Sequence, residues 1–171
     1  SSPPASATTN YNGATATADF TIAKADPTYT APTGLYATYG DTLADVALPD
    51  GWAWADDTTS VGNAGTNTFK ANFTPADTTN YNTVENVDVT VKVNQAEITP
   101  TVTLDGWTYG QEPNAPSVSG NVGNGTVTYT YATKGSDNFS ATVPTNAGNY
   151  TVKATIAATT NYNGATATAD F

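Results

Sequence analysis

The segment ATTNYNGATATADF occurs twice in the chain, at residues 7–20 and at residues 158–171, without a single change. Internal repetition is typical of arrays in which one small folding unit recurs along the chain. The second copy of the segment ends a unit, so the first copy is expected to end the unit before it. We therefore predict that residues 1–20 are the C-terminal fragment of a preceding repeat in a longer tandem array.

A weaker repeat divides the remaining residues into two units. Each unit has a Thr-Tyr-Gly motif, then an Asn-Ala-Gly turn, a strand-like run with one central lysine, and an Asn-Tyr-Asn turn. The matched pairs are Thr38-Tyr39-Gly40 and Thr108-Tyr109-Gly110, Asn63-Ala64-Gly65 and Asn146-Ala147-Gly148, and Asn80-Tyr81-Asn82 and Asn161-Tyr162-Asn163. This order predicts two repeat domains, residues 21–94 (repeat 1) and residues 95–171 (repeat 2). A domain of about 75 residues has a thin core and gains stability from its neighbours.

Apolar and polar residues alternate strictly along several runs, which predicts the fold class. The runs are Phe69–Phe73, Val87–Val93, Val127–Tyr131, Tyr150–Ile156 and Ala165–Phe171. A period of two is that of a strand with one face on a core and the other in water. We predict a mainly β chain of two small antiparallel β-sheet domains in tandem, each a sandwich or a grasp-like sheet. One helical turn is expected at residues 42–46.

Three Asn-Gly dipeptides lie between the runs or before them, at residues 12–13, 124–125 and 163–164. Asn-Gly favours the two-residue hairpin turns in which both central residues have positive φ. The sequence therefore predicts tight hairpins at these positions.

The composition argues against several classes of function. The chain has no Cys, no His and no Met, and its 15 acidic residues against 5 basic ones give a net charge of −10. Without Cys and His, the commonest nucleophile–base pairs and transition-metal ligands are missing. An acidic chain is also unsuited to nucleic acid or to anionic lipid, and no apolar run approaches the roughly 18 residues of a membrane span. We expect no catalysis, no cofactor, no metal site and no membrane insertion, with the scattered acids of repeat 1 forming a solvated rim rather than a calcium site.

Four aromatic residues are candidate glycan contacts: Trp52, Trp54, Trp107 and Tyr109. Two positions apart on a strand, Trp52 and Trp54 would share one face, and so would Trp107 and Tyr109. Exposed rings stack on sugars or mucin-type ligands, whereas buried rings would fill the thin core. The sequence leaves both interpretations open, and it favours the core.

Lys70 and Lys153 occupy matching positions in repeats 1 and 2 and are candidates for a covalent cross-link to a downstream asparagine, with Asn80, Asn82, Asn161 and Asn163 available. Both alternate out of phase with their apolar neighbours, so we expect them to face water instead, because an unpaired lysine is costly to bury.

The Tyr39-Gly40-Asp41 and Tyr109-Gly110-Gln111 motifs, combined with Asn-Ala-Gly and Asn-Tyr-Asn, resemble the MBG-type tandem repeats of large bacterial cell-surface proteins. The resemblance covers essentially the whole chain. It implies extracellular stalk or spacer repeats of an adhesin-like protein, secreted or attached to the cell wall, without catalytic residues. The alternative is a carbohydrate- or mucin-binding module. The expected partners are neighbouring repeats, with host glycans or mucin in the alternative. We expect a monomer, or a strand-swapped dimer if residues 7–20 replace their identical copy in another molecule.

Overall fold

The computed structural model describes residues 9–171, and in this part of the chain the regular structure is almost entirely β. The strands are β1 (Leu35–Thr38), β2 (Trp52–Trp54), β3 (Gly65–Phe73), β4 (Val84–Asn94), β5 (Thr101–Thr103), β6 (Ser117–Ser119), β7 (Val127–Thr133), β8 (Tyr150–Ile156) and β9 (Ala165–Asp170). The prediction of a mainly β chain is confirmed. Every strongly alternating run lies in a strand, since β3, β4, β7, β8 and β9 contain the five predicted runs but for Phe171, which follows β9.

The sheet of repeat 1 has the strand order β1-β4-β3-β2. Strands β2, β3 and β4 are antiparallel, as predicted, but β1 pairs with the end of β4 in parallel, with Leu35 opposite Val91 and Thr38 opposite Asn94. Strand β1 therefore departs from the antiparallel pairing predicted for the sheets. A parallel pair needs a long crossover connection, which residues 39–83 provide, and no local pattern in Leu35–Thr38 encodes that distant partner.

Repeat 2 contains a two-stranded antiparallel sheet, β5-β6, and a three-stranded antiparallel sheet, β7-β8-β9. Two hydrophobic clusters form, one in each repeat. The first is built on Leu43, Val46, Val61, Val91 and Val93, and the second on Val102, Leu104, Tyr131, Val152 and Ala154. Each cluster draws on inward positions of the alternating strands, such as Val91, Val93, Val152 and Ala154, and on residues outside the strands, Leu43, Val46, Val61 and Leu104.

The helical turn expected at residues 42–46 is confirmed as a short 3₁₀ helix, Leu43–Asp45. The Thr42 backbone N–H donates to Asp45 Oδ2 at 2.9 Å, which satisfies a donor that the helix start leaves free. Leu43 is buried in the first cluster, so this turn closes one side of the core.

The prediction of primed hairpin turns is wrong at all three Asn-Gly dipeptides, residues 12–13, 124–125 and 163–164. Neither Asn12 nor Gly13 has positive φ, and no strand flanks them. Asn124 has a positive φ of 54°, but Gly125, Asn163 and Gly164 do not have positive φ. Both glycines instead allow a close approach to the end of β8. A Cβ at Gly164 would lie 2.8 Å from the Ile156 carbonyl oxygen, and one at Gly125 would overlap the Ala157 carbonyl oxygen.

Residues 9–20 are exposed and form no strand, although the same sequence in repeat 2 contains β9. In repeat 2 that strand pairs with β8 over six residues, from Thr151 with Asp170 to Ile156 with Ala165. The strand therefore depends on its pairing partner rather than on its own sequence, as expected for an element whose hydrogen bonds all lie between strands.

Candidate functional site at the contact between the repeats

Each repeat begins with a segment that pairs with its own Asn-Tyr-Asn turn. In repeat 1, the Ala25 N–H donates to Asn80 O at 2.8 Å and the Asn82 N–H donates to Ala25 O at 2.9 Å. In repeat 2, the Ala96 N–H donates to Asn161 O and the Asn163 N–H donates to Ala96 O, both at 2.9 Å. We call this two-bond bridge the latch. It holds the start of each repeat against a turn that lies more than fifty residues later in the chain.

Side chains reinforce both latches with equivalent chemistry. The Asn82 amide donates to Asp26 Oδ1 at 2.8 Å, and the Asn163 amide donates to Glu97 Oε1 at 2.6 Å. Bonds to an ionised acceptor are stronger than those between neutral groups. The similar use of Asp26 and Glu97 shows why an acidic residue follows the alanine in both repeats.

The turn of repeat 2 also reaches across to repeat 1. Asn161 Oδ1 accepts the backbone N–H of Ala64 at 2.9 Å, and Asn161 Nδ2 donates to Asn63 Oδ1 at 3.0 Å. Next to it, the rings of Tyr162 and Tyr39 meet edge to face, with centroids 5.4 Å apart and an angle of 72° between the planes. This pair geometry is the favourable one for aromatic rings. The contact thus joins the Asn-Tyr-Asn turn of repeat 2 to the Tyr-Gly and Asn-Ala-Gly motifs of repeat 1.

The connection between the repeats is short, and its residues form hydrogen bonds to both repeats. Strand β4 ends at Asn94, whose carbonyl accepts the Tyr39 N–H at 2.8 Å, and Ala96 already belongs to the latch of repeat 2. Between them, the Gln95 side chain donates to Thr159 O at 2.6 Å. A connection of this kind has little of the freedom of a Gly/Ser linker.

Sequence reasoning treated Asn-Tyr-Asn only as a turn and missed Asn161 and Tyr162 as contacts between repeats. The signal that could have found them is the recurrence of the tripeptide three times, at residues 10–12, 80–82 and 161–163. A turn requires a particular backbone conformation but no large side chain. A tyrosine that lies between the two asparagines at every occurrence therefore indicates that its ring contacts another part of the protein.

Three of the four candidate glycan contacts are partly buried. Trp54 donates its indole N–H to the Val46 carbonyl at 2.9 Å and meets Phe69 edge to face. Trp52 packs between Phe73 and Tyr29, at centroid distances of 5.2 and 5.7 Å. As expected, Trp52 and Trp54 share one face of β2, and the residue between them is exposed.

The expectation that Trp107 and Tyr109 share a strand face is wrong. Residues 104–108 belong to no strand, and Tyr109 lies in a turn. Trp107 stacks on Phe171 with centroids 5.3 Å apart, whereas the Tyr109 side chain is 73% exposed. Both line a cleft of about 390 Å³, together with residues 144–148, Tyr150 and Phe171.

Lys70 faces water, as predicted, and pairs with Asp88 across β3 and β4 at 2.6 Å. Lys153 lies over the Phe139 ring, 3.9 Å from its centroid. The asparagines considered for a cross-link have other partners: Asn82 and Asn163 bond to the latch carboxylates, and Asn161 to Asn63 and Ala64.

Hydrogen bonds lower the pKa of three exposed carboxyl groups. The Asn80 side-chain amide lowers the pKa of Asp77, and the Thr58 hydroxyl lowers the pKa of Asp56. A hydrogen bond from Lys134 lowers the pKa of Asp170, with help from Thr151. Each bond favours the ionised form. Asp77 also accepts the backbone N–H groups of Thr79 and Asn80, and these bonds order the turn at residues 78–80.

Within residues 9–171, no group of three or more acidic side chains is placed to hold a metal ion. No helix in that range is long and apolar enough to cross a membrane. Comparisons of the chain with protein-family models, with curated proteins and with solved structures gave no match.

Proposed function

We propose that the chain is a piece of an extracellular stalk, in which repeats of one type are joined end to end and space a binding domain from a bacterial cell surface. The observation that carries this proposal is the contact of Asn161 and Tyr162 with repeat 1. A spacer must transmit position, so neighbouring repeats have to be held in one orientation rather than strung on a flexible linker.

The contact is made by motifs that recur in both repeats. Asn161-Tyr162 has its counterpart in Asn80-Tyr81, and the surface it touches, Tyr39 and Asn63-Ala64, has its counterpart in Tyr109 and Asn146-Ala147. An interaction built from repeated motifs can be used at every junction of an array. Stability then becomes nearly a sum of repeat and junction terms, as in other linear repeat proteins.

The composition suits such a role outside the cell. The net charge of −10 makes neighbouring stalks repel each other, and the absence of Cys and Met removes the side chains most sensitive to oxidation. The Thr-rich outward faces of the strands keep the surface polar while favouring β structure.

The test measures how firmly the junction fixes the two repeats. Because the chain lacks Cys, Thr68→Cys in β3 and Thr168→Cys in β9 allow two spin labels to be attached at exposed strand positions. We expect a narrow distribution of label distances by pulsed electron paramagnetic resonance. The double variant Asn161→Ala/Tyr162→Ala should broaden it.

The matched control is Asn80→Ala/Tyr81→Ala, which removes the same two side chains from the turn of repeat 1, where they do not contact repeat 2. This variant should leave the distribution narrow. A distribution that is already broad in the unmodified chain would contradict the proposal, because a stalk with free joints does not hold a domain in place.

The carbohydrate-binding alternative has one observation in its favour, the exposed Tyr109 at the mouth of the cleft that Trp107 and Tyr150 line. The partial burial of Trp52 and Trp54, and the bond from Trp54 to Val46, give those two rings a structural role instead. A glycan array with Tyr109→Ala as the paired variant tests this alternative.

A further inference from the structure

The cleft beside Tyr109 is lined in part by the counterparts of the residues of repeat 1 that the turn of repeat 2 contacts. Tyr109, Asn146 and Ala147 line or border this cleft. Their counterparts Tyr39, Asn63 and Ala64 contact Tyr162 and Asn161. We call the surface formed by Tyr109 and Asn146-Ala147-Gly148 the socket.

The Tyr-Gly turn of the socket has the same conformation in both repeats. The Asp41 N–H donates to Thr38 O at 3.0 Å, and the Gln111 N–H donates to Thr108 O at 2.9 Å. Gly40 and Gly110 both have positive φ, 102° and 87°, which only glycine adopts readily. The two surfaces differ in exposure, since Tyr39 and Ala64 are half-buried whereas Tyr109 and Ala147 are exposed. They also differ at the glycine of Asn-Ala-Gly, because Gly65 has a φ of 135° and begins β3, whereas Gly148 does not have positive φ and precedes β8.

The turn of repeat 1 shares its Asn-Tyr-Asn tripeptide and its latch with the turn of repeat 2. The latch fixes both turns through two equivalent backbone hydrogen bonds, of which the alanine, Ala25 in repeat 1 and Ala96 in repeat 2, donates one and accepts the other. Asn161 and Tyr162 are half-buried in the contact, whereas Asn80 is exposed and Tyr81 is 40% exposed. The chain therefore presents an exposed turn on repeat 1 and an exposed socket on repeat 2, and these two surfaces carry the same sequence motifs as the two halves of the contact between the repeats.

We propose that the socket on repeat 2 binds the Asn80-Tyr81-Asn82 turn of a second copy of this chain. Asn80 Oδ1 then accepts the Ala147 N–H, and the Tyr81 ring meets Tyr109 edge to face, as Asn161 and Tyr162 do with Ala64 and Tyr39. Asp77 takes one hydrogen of the Asn80 amide, which leaves the amide oxygen and the second hydrogen for the partner.

This contact joins two different surfaces, so it is head to tail and extends without closing. The inference deepens the proposed function and rests on it, because it names the partner of the socket as another repeat of the same type. A contact of two hydrogen bonds and one aromatic pair buries far less surface than the roughly 1,000 Å² of a stable interface. Separate copies therefore associate weakly, and the contact forms when a covalent connection raises the effective concentration.

The experiment uses the full chain followed directly by residues 21–171. The joint reproduces the sequence Asp19-Phe20-Thr21 of the chain itself, since Asp170 and Phe171 are identical to Asp19 and Phe20. Amide hydrogen exchange by NMR then reports on two alanines of the first copy. Ala64 reports on the contact between repeats 1 and 2, and Ala147 reports on the socket.

We expect the exchange of the Ala147 amide in the first copy to slow by roughly tenfold relative to the single chain, the effect of one added hydrogen bond. Asn80→Ala in the second copy should abolish this protection. The same substitution in the first copy is the matched control and should leave Ala147 of the first copy protected, because that Asn80 faces away from the joint.

The outcomes separate the two proposals. If Ala64 is protected and Ala147 is not, the socket does not bind the turn and this inference is wrong, while the stalk proposal stands. If neither amide is protected, the contact between repeats is itself too weak and both proposals fail. If the Ala147 amide stays protected when the second copy carries Asn80→Ala, the protection comes from the residues added after β9 rather than from the turn. This result would also overturn the inference.

Discussion

The Asn163 side-chain amide donates to Glu97 Oε1 at 2.6 Å, joining residues that lie 66 positions apart. Asn82 and Asp26 make the same bond in repeat 1 at 2.8 Å. Because the bond recurs with a different carboxylate in each repeat, it is a structural feature of the repeat itself. It fixes the start of each repeat to the turn that precedes its last strand.

Replacing Asn163 by Ala should therefore lower the free energy of unfolding by about 1 kcal/mol, since one charge-assisted hydrogen bond is lost. Asn163→Asp should be worse than Asn163→Ala at neutral pH, because it places a second carboxylate against Glu97. Urea unfolding measures both. Asn149→Ala, at an exposed asparagine, is the control and should change stability little; equal effects of Asn149→Ala and Asn163→Ala would contradict the prediction.

Trp54 should tolerate phenylalanine poorly. Its indole N–H is the partner of the Val46 carbonyl, and Val46 is buried in the first cluster. Trp54→Phe leaves that carbonyl unpaired and should cost about 1–2 kcal/mol. Trp52→Phe keeps an aromatic ring between Tyr29 and Phe73 and should cost less. Thermal and urea unfolding of the two variants side by side decide the matter, and the prediction is wrong if Trp52→Phe is the more damaging.

Gly164→Ala should destabilise repeat 2 although Gly164 does not have positive φ. The added Cβ would lie 2.8 Å from the Ile156 carbonyl oxygen and 3.1 Å from the Ala158 nitrogen, both backbone atoms. Overpacking of this kind costs about 1–3 kcal/mol. At Gly106 an added Cβ meets nothing within 4 Å, so Gly106→Ala serves as the control and should stay near neutral. Equal stability of the two alanine variants would show that the loop at residues 157–164 yields to the methyl group.

Asp170 should contribute stability that depends on pH. Hydrogen bonds from Lys134 and then Thr151 lower its pKa below the ordinary value of 3.8. The ionised form is thus favoured in the folded state, so the contribution is present above the unfolded-state pKa and is lost as the pH falls through the lowered folded-state pKa. The stability difference between the chain and Asp170→Asn should be present at pH 7, start to fall as the pH nears 3.8, and vanish only below the lowered folded-state pKa. It should also shrink in high salt, because the Lys134 pair is exposed. A difference that stays constant across the acid range would assign the effect to packing instead.

The glycan alternative now depends on Tyr109 more than on the tryptophans. If the cleft binds sugars, Tyr109→Ala should abolish binding on a glycan and mucin array while leaving unfolding unchanged, because the ring is exposed. A Trp52→Ala/Trp54→Ala variant is a poor probe, since it removes the Val46 partner and would weaken the fold. Under the stalk proposal, neither the chain nor the Tyr109→Ala variant binds the array.

The sequence alone determined the five strands with strict alternation, β3, β4, β7, β8 and β9, and which of their faces turns toward the core. In β4 and β8, strict alternation predicted which side chains turn inward, and in β3 it placed Lys70 in water, because the period of two is a local property of the strand. Repetition of the Tyr-Gly, Asn-Ala-Gly and Asn-Tyr-Asn motifs likewise needed no structure to be seen.

Only the tertiary structure decided which surfaces meet. The parallel pairing of β1 with β4, the stacking of Trp107 on Phe171 while Tyr109 stays exposed, and the reach of Asn161 to Ala64 all join residues far apart in sequence. Nothing in the neighbouring residues specifies such a partner. The same ATATAD sequence is strand β9 in repeat 2 and forms no strand at residues 14–19, because a strand is stabilised by the strand beside it rather than by its own hydrogen bonds.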